Sequence, residues 1–246
     1  MNGLKDWVRL PHNWVLAGKL KELLWKDHGS TATAALMVLA PLAHVTALAS
    51  EHEGRDVPLP FGQLTDLTGI SKPKLAPAFD LLEQCLQIVR IERRAAGKSN
   101  RYRLHDNQPS ASGVVNFAKF PGRSMYSPNR KVIEPFRGFT LRSRNELDAL
   151  KLLYLFVALR DEEANAARVN FEKISEYTGV PIDRVKSATS LLVNTHLIQI
   201  DQEISQKSEY RHNLYRIVGV KPRFHSGTIA RLGAAEPGSL GDADLA

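Results

Sequence analysis

The feature that most restricts this chain is that it repeats itself. The segment FGQLTDLTGISKPKLAPAFDLLEQ beginning at Phe61 lies over FEKISEYTGVPIDRVKSATSLLVN beginning at Phe171, with Gly179 standing 110 positions after Gly69. Phe, Thr-Gly and Leu-Leu coincide, and Leu64/Ile174, Ile70/Val180, Leu75/Val185 and Ala78/Ala188 agree in character. Upstream, Trp7-Val8-Arg9-Leu10-Pro11 parallels Phe117-Ala118-Lys119-Phe120-Pro121 at the same offset. Downstream, Ile88-Val89-Arg90-Ile91-Glu92 resembles Leu197-Ile198-Gln199-Ile200-Asp201, and Asn100-Arg101-Tyr102-Arg103-Leu104 resembles Asn213-Leu214-Tyr215-Arg216-Ile217, with small shifts of the kind loops absorb. A spacing held through helix-like and strand-like segments alike marks a duplicated module.

Each copy spells out the same order of elements. Ser30 or Thr31 caps a helix through Leu36, Leu39 and Leu42, and Ser143 with Glu146 forms a capping box before Leu147, Leu150, Leu153 and Phe156. A short second helix follows, carrying Phe61, Leu64 and Leu67 or Phe171, Ile174 and Tyr177, and ends at Thr-Gly. Gly69 and Gly179 supply the positive φ that a tight helix-to-helix turn needs. The third helix buries Leu75, Ala78, Leu81 and Leu82, or Val185, Ala188, Leu191 and Leu192, so the residues between them face outward. Two β-type segments around a polar turn then read as a hairpin. Pro77 in the first third helix and Pro41 in the first long helix conflict with regular helix, at a cost of about 3 kcal/mol for an interior proline.

The chain's 246 residues hold two such modules, each long enough to bury a core of its own. The expected division is 1–105 for the first domain, 106–114 for a polar linker, 115–220 for the second domain and 221–246 for a disordered tail rich in Gly, Ala and Pro. The fold class is α+β, mainly helical with small hairpins. Hydrophobic residues at 43% and charged residues at 24% fit a globular chain, and a net charge of +7 calls for an anionic partner. The longest apolar stretch, Ala34 to Ala49, is broken by Pro41 and His44 and is too short for about 30 Å of hydrocarbon, so no membrane role is expected. With no secretory signal at the amino terminus, a cytoplasmic location associated with nucleoid or plasmid is the default.

Three helices and a hairpin in this order resemble the winged-helix DNA-binding superfamily, and two of them in one chain, each led by an aromatic-x-basic-apolar-Pro strand, resemble the replication initiators of plasmids and phages. The resemblance implies that the third helix enters the major groove of duplex DNA while the hairpin touches the backbone. Under it, Lys72 and Lys74 in the first module, and Asp183, Arg184, Lys186, Ser187 and Ser190 in the second, are the groove-facing candidates. Arg184 has the fork geometry for guanine, with Asp183 to orient it or accept from cytosine. The first hairpin crowds Arg90, Arg93, Arg94, Lys98, Arg101 and Arg103 around Gly97 with Glu92 as their only acid, which suits phosphate. In the second hairpin Lys207, Arg211 and His212 are diluted by Glu203 and Glu209. A basic run that includes Lys119, Arg123, Arg130, Lys131, Arg137, Arg142 and Arg144 offers a path along the backbone between the two modules.

Enzymatic readings find no footing in the sequence. Gly97-Lys98-Ser99 imitates the end of a phosphate-binding loop, but Glu92 stands where the earlier glycine belongs and the context is a hairpin. The eight histidines form no metal-ligand spacing, and the single cysteine, Cys85, excludes an intrachain disulfide. The expectation is a DNA-binding protein without cofactor, metal or catalytic residue. Its partners would be double-stranded DNA, host replication proteins and a second copy of itself. The competing roles are a transcriptional regulator of the same fold and a protein-docking module.

Overall fold

In a computed structural model the described residues are 3–49, 56–95, 98–105, 117–204 and 211–222. They form a mixed α+β protein of helices and small antiparallel sheets. The chain opens with strand β1 (Trp7–Pro11), short helix α1 (Asn13–Leu16), a 3-10 turn (Lys19–Glu22) and short helix α2 (Trp25–His28). Helix α3 (Ser30–Ala49), strand β2 (Val57–Pro58), helices α4 (Phe61–Thr68) and α5 (Lys72–Gln84), and strands β3 (Val89–Glu92) and β4 (Arg101–Leu104) complete the first copy. The second copy runs β5 (Phe117–Pro121), two 3-10 turns (Arg123–Met125 and Glu134–Gly138), α6 (Arg144–Ala158), β6 (Ala166–Arg168), α7 (Phe171–Thr178), α8 (Ile182–Asn194), β7 (Ile198–Ile204) and β8 (Arg211–Ile217).

The helical turn that the repeat centres on is built identically twice. Gly69 and Gly179 adopt φ of 74° and 68° at the ends of α4 and α7. Before each, a buried threonine bridges the turn: Thr68 Oγ1 donates to Leu64 O at 2.7 Å and accepts from Ile70 N, and Thr178 Oγ1 donates to Ile174 O at 2.6 Å and accepts from Val180 N. The repeated spelling Thr-Gly is therefore a hydroxyl that satisfies a helix end plus a residue without a Cβ.

Each hairpin is part of a three-stranded sheet, in the order β2-β4-β3 in the first copy and β6-β8-β7 in the second. The third strands are two and three residues long, too short to show alternation in the sequence. In both sheets the tyrosine of the Asn-x-Tyr-Arg motif points into the core, with Tyr102 stacked on Phe79 at 4.2 Å and Tyr215 on Phe156 at 4.1 Å. The stacking partner comes from the third helix in one copy and from the first long helix in the other.

The two opening strands pair with each other rather than with their own modules. In the β1–β5 ribbon Trp7 faces Pro121, Arg9 faces Lys119 and Pro11 faces Phe117. Because Arg9 and Lys119 are themselves equivalent in the repeat, this register is that of an internal two-fold axis passing through their pair. Cation–π contacts obey the same symmetry, with Arg9 over Phe117 at 4.6 Å and Lys119 over Trp7 at 4.9 Å. Beneath the ribbon the equivalent helices α3 and α6 pack on one another.

That arrangement corrects the expectation of a separate core for each half: one hydrophobic cluster runs from Leu4 to Val220 through both copies. The lead-in segments also straddle the seam. Ile133 N, in the second copy, donates to Leu67 O at the end of α4, while Lys21 of the first copy lies against Gly179.

Helix α3 runs four residues further upstream than the apolar stretch in the sequence, reaching twenty residues, long and apolar enough by length and composition to cross a membrane. Here every residue from Ala32 to His44 is buried, because α5, α6 and β1 surround the helix. Neither proline ends its helix, since α3 continues through Pro41 and α5 through Pro77. Pro77 and Pro73, whose carbonyl loses its partner, are both exposed, so water can satisfy that oxygen. The expected capping box at α6 is half formed: Ser143 Oγ accepts from Asn145 N, but Glu146 turns to accept from the amide and hydroxyl of Thr140.

Candidate nucleic-acid interface

Helices α5 and α8 have the same length and the same pattern of burial at each of their first eight positions, so their outward residues compare position by position. On α5 they are Lys72, Pro73, Ala76 and Pro77; on α8 they are Ile182, Asp183, Lys186 and Ser187, followed by Ser190 one turn on. The second helix thus presents Asp183, Lys186, Ser187 and Ser190 as expected, with the Ser190 hydroxyl donating back to Lys186 O at 2.9 Å. The first presents a single polar group, the Lys72 ammonium. Two prolines and an alanine occupy the rest of that face.

Lys74 and Arg184 depart from the expected outward placement. They hold equivalent, half-buried positions and reach back to the long helix of their own copy: Lys74 Nζ donates to Ser30 Oγ at 2.7 Å, and Arg184 Nη1 lies 3.3 Å from Asp148 Oδ2. The reason is helical phase, because one residue before the buried Leu75 or Val185 a side chain stands at the edge of the packed face. Arg184 therefore pairs with Asp148 and not with Asp183.

Asp148 belongs to a charged cluster under the second helical pair. Asp148 and Lys151 are both buried on α6, and Lys151 Nζ donates to Thr178 O at 3.0 Å, just before the Gly179 turn. Burial pushes the Asp148 carboxyl up, opposed by Arg184 and Lys151, and pulls the Lys151 ammonium down to about 8, opposed by Asp148. These contacts tie α6, α7 and α8 together from beneath, fixing how α8 is presented.

The first hairpin is less uniformly cationic than its sequence implies. Arg93 bridges Asp80 and Glu83 of α5, both at 2.8 Å, and Arg103 pairs with Asp56 at 2.7 Å. Glu83 also accepts from Ile91 N at 2.8 Å, so this hairpin is latched to the third helix at its base. Desolvation raises the Glu83 carboxyl, but the Ile91 amide and Arg93 outweigh it and leave it below the ordinary range. Glu92 is thus not the only opposing acid. Arg90, Arg94, Lys98 and Arg101 remain exposed.

Lys207 lies outside the described residues, as do Gly97 and the segment 106–116 expected to hold the linker; Arg211 falls in β8 opposite Ile204. Of the basic run between the modules, Lys119 pairs with Glu162 at 3.0 Å, Arg123 with Asp6 at 2.6 Å and Arg137 with Glu134 at 3.2 Å, while Lys131 is exposed. Arg130 sits at φ 57° in a turn held by Ser127 and Asn129. The residues 223–246 of the expected tail lie outside the description. Among the described residues no group of three or more His, Cys, Asp or Glu side chains is placed to hold a metal ion.

No protein-family model matches the chain, and neither a curated protein nor a solved structure matches it.

Proposed function

We propose that this protein is a sequence-specific binder of double-stranded DNA made of two winged-helix modules, and that it acts as a replication initiator of a plasmid or mobile element. The observation that carries this reading is the twice-repeated unit of helix, short strand, helix–Thr-Gly–helix and hairpin, which leaves one face of each third helix in solvent beside an arginine-rich or polar hairpin. Such an exposed helix end next to a cationic flap is the arrangement by which helix-turn-helix proteins address a major groove and its flanking phosphates.

The two-fold register of the β1–β5 ribbon gives one chain two opposed reading helices without a second copy. Their outward faces differ, Asp183, Lys186, Ser187 and Ser190 against Lys72, Pro73, Ala76 and Pro77, so the site they fit is asymmetric. An asymmetric site can be repeated head to tail, which favours an origin with direct repeats over a palindromic operator. A transcriptional regulator is the second reading, favoured by the same exposed helices. Docking to another protein is the third, and it predicts an affinity that salt scarcely changes.

Selection from random duplexes followed by sequencing tests these readings together. An asymmetric motif with a sharply specified half supports the initiator, a palindrome supports the regulator, and no enrichment at all rejects DNA recognition. Steep weakening of binding with salt is expected under both DNA-binding readings.

A further inference from the structure

A cleft of about 690 Å³ opens at one end of the β1–β5 ribbon, and five cations from separate stretches of chain converge on it: Lys5, Lys119, Arg123, Arg130 and Lys221. Asp6 is the one acid in its wall. Lys119 and Arg123 are ion-paired, but Lys5 and Lys221 are exposed and have no ionic partner among the described residues. The ammonium groups of Lys5 and Lys221 add charge to a cleft whose other cations already have partners, and a bound anion lowers the cost of holding them together.

The walls are fixed by backbone contact. Gly122 N and Arg123 N donate to the carbonyls of Asp6 and Lys5, a Cβ on Gly122 would stand 2.3 Å from the carbonyl of Lys5, and one on Gly219 would stand 1.8 Å from the Ser124 hydroxyl, so neither glycine has room for a side chain. The cleft is therefore preformed. The internal symmetry supplies a control at the other end of the ribbon, where a hollow of about 230 Å³ is lined by His12, Arg160 and Glu162. There Glu162 lies 3.9 Å from Arg160 and 3.0 Å from Lys119, so one carboxylate serves both cations of that lining. Among the described residues the larger group of cations lies at one end of the ribbon.

We infer that this seam cleft is a binding site for linked phosphate groups, separate from both reading helices. Linked phosphates carry the charge density that several converging lysines and arginines match, and arginine adds paired donors to their oxygens. Two sources share this chemistry: the backbone of a bound duplex and a free oligophosphate such as a nucleoside triphosphate. The inference does not need the groove-reading role and stands or falls apart from it.

The test is calorimetric titration of the full chain with inorganic tripolyphosphate, comparing wild type with Lys5→Ser/Lys221→Ser and with a hairpin control, Arg94→Ser/Lys98→Ser. Saturable binding that weakens at least tenfold in the first variant and stays within twofold in the control is the expected result. Absence of saturable binding, an equal loss in both variants, or tighter binding of polyglutamate than of tripolyphosphate would overturn the inference. The substituted lysines are exposed, and unchanged melting temperatures show that each variant folds. On a selected duplex, a shallower salt dependence in the first variant assigns the phosphates to DNA, while an unchanged one beside lost tripolyphosphate binding assigns them to a free ligand.

Discussion

His44 and Tyr154 stand 110 positions apart, at equivalent places in the two copies, and each donates a hydrogen bond to a backbone carbonyl of the opposite half. His44 Nε2 reaches Pro121 O at 2.7 Å, and Tyr154 Oη reaches Leu36 O at 2.7 Å. Because a carbonyl only accepts, His44 Nε2 carries the proton and Nδ1 accepts from the Tyr126 hydroxyl, also at 2.7 Å. The imidazole is neutral and fully buried.

Acid should therefore loosen the seam through His44. Burial holds its imidazole near 4, against an ordinary value of 6.5, with the bond to Pro121 opposing the shift. Between these values the unfolded chain takes up a proton that the folded one refuses. The contribution is intact above about pH 6.5 and is lost as pH falls toward 4, by up to about 3 kcal/mol. Urea melts of wild type and His44→Gln check this: the variant, though weaker at neutral pH, should lose less over the window. Parallel curves would reject the assignment.

Tyr154→Phe keeps the ring stacked on Phe120 and deletes only the hydroxyl. The expected cost is about 1 kcal/mol. Equilibrium denaturation reads it directly, and a neutral result would mean that the cross-seam bond contributes nothing.

Lys151 gives a pH dependence of the same sign in a higher window. Its ammonium is held near 8 by burial, against an ordinary 10.5, so between these values the unfolded chain keeps a proton that the folded chain has released. Stability should climb as pH rises from about 8 to 10, with a slope of at most about 1.4 kcal/mol per pH unit. Lys151→Met should flatten that climb. Above pH 10 the trend reverses, because burial keeps Tyr126 and Tyr154 protonated in the folded state.

Removing Arg184 should show first as lost stability. Its partner Asp148 is buried, and breaking such a pair from one side costs about 2–3 kcal/mol where one member is partly exposed. Arg184→Ala/Asp148→Ala should recover much of the loss. If the single variant melts like wild type but binds DNA with altered base preference, Arg184 is a reading residue after all.

In the first hairpin, Arg94→Ser/Lys98→Ser/Arg101→Ser should lower the slope of log affinity against log salt by about 2 to 3, one phosphate for each exposed cation. Arg93→Ser should leave that slope nearly unchanged, since Arg93 is already engaged by Asp80 and Glu83. Filter binding across a salt series separates the two.

The sequence made the repeated elements legible because each carries a strong local signal: Thr-Gly for the turn, apolar spacing for α4, α5, α7 and α8, alternation for the hairpins. What it hid was relational. The pairing of β1 with β5 joins strands 110 residues apart and leaves no mark in either one, although two matching copies of an aromatic-x-basic-apolar-Pro strand were its only available hint. The inward turn of Lys74 and Arg184 depends on acceptors from another helix, Ser30 and Asp148, which no periodicity names. Likewise, Arg93 looked like one phosphate ligand among six until α5 brought two carboxylates to it. The swapped stacking partners Phe79 and Phe156 replace Thr189 and Thr46 at equivalent sites, so the repeat looked weaker there than the packing is.

The Arg9–Lys119 pair at the middle of the ribbon has an evolutionary corollary. In an assembly of two identical subunits every substitution is made twice, so a change that sharpens one half also alters the other. Covalent fusion around that pair frees each half to drift alone and makes the joined state independent of dilution, because neither half can leave. At the few copies per cell at which a dimer would come apart, both heads stay together.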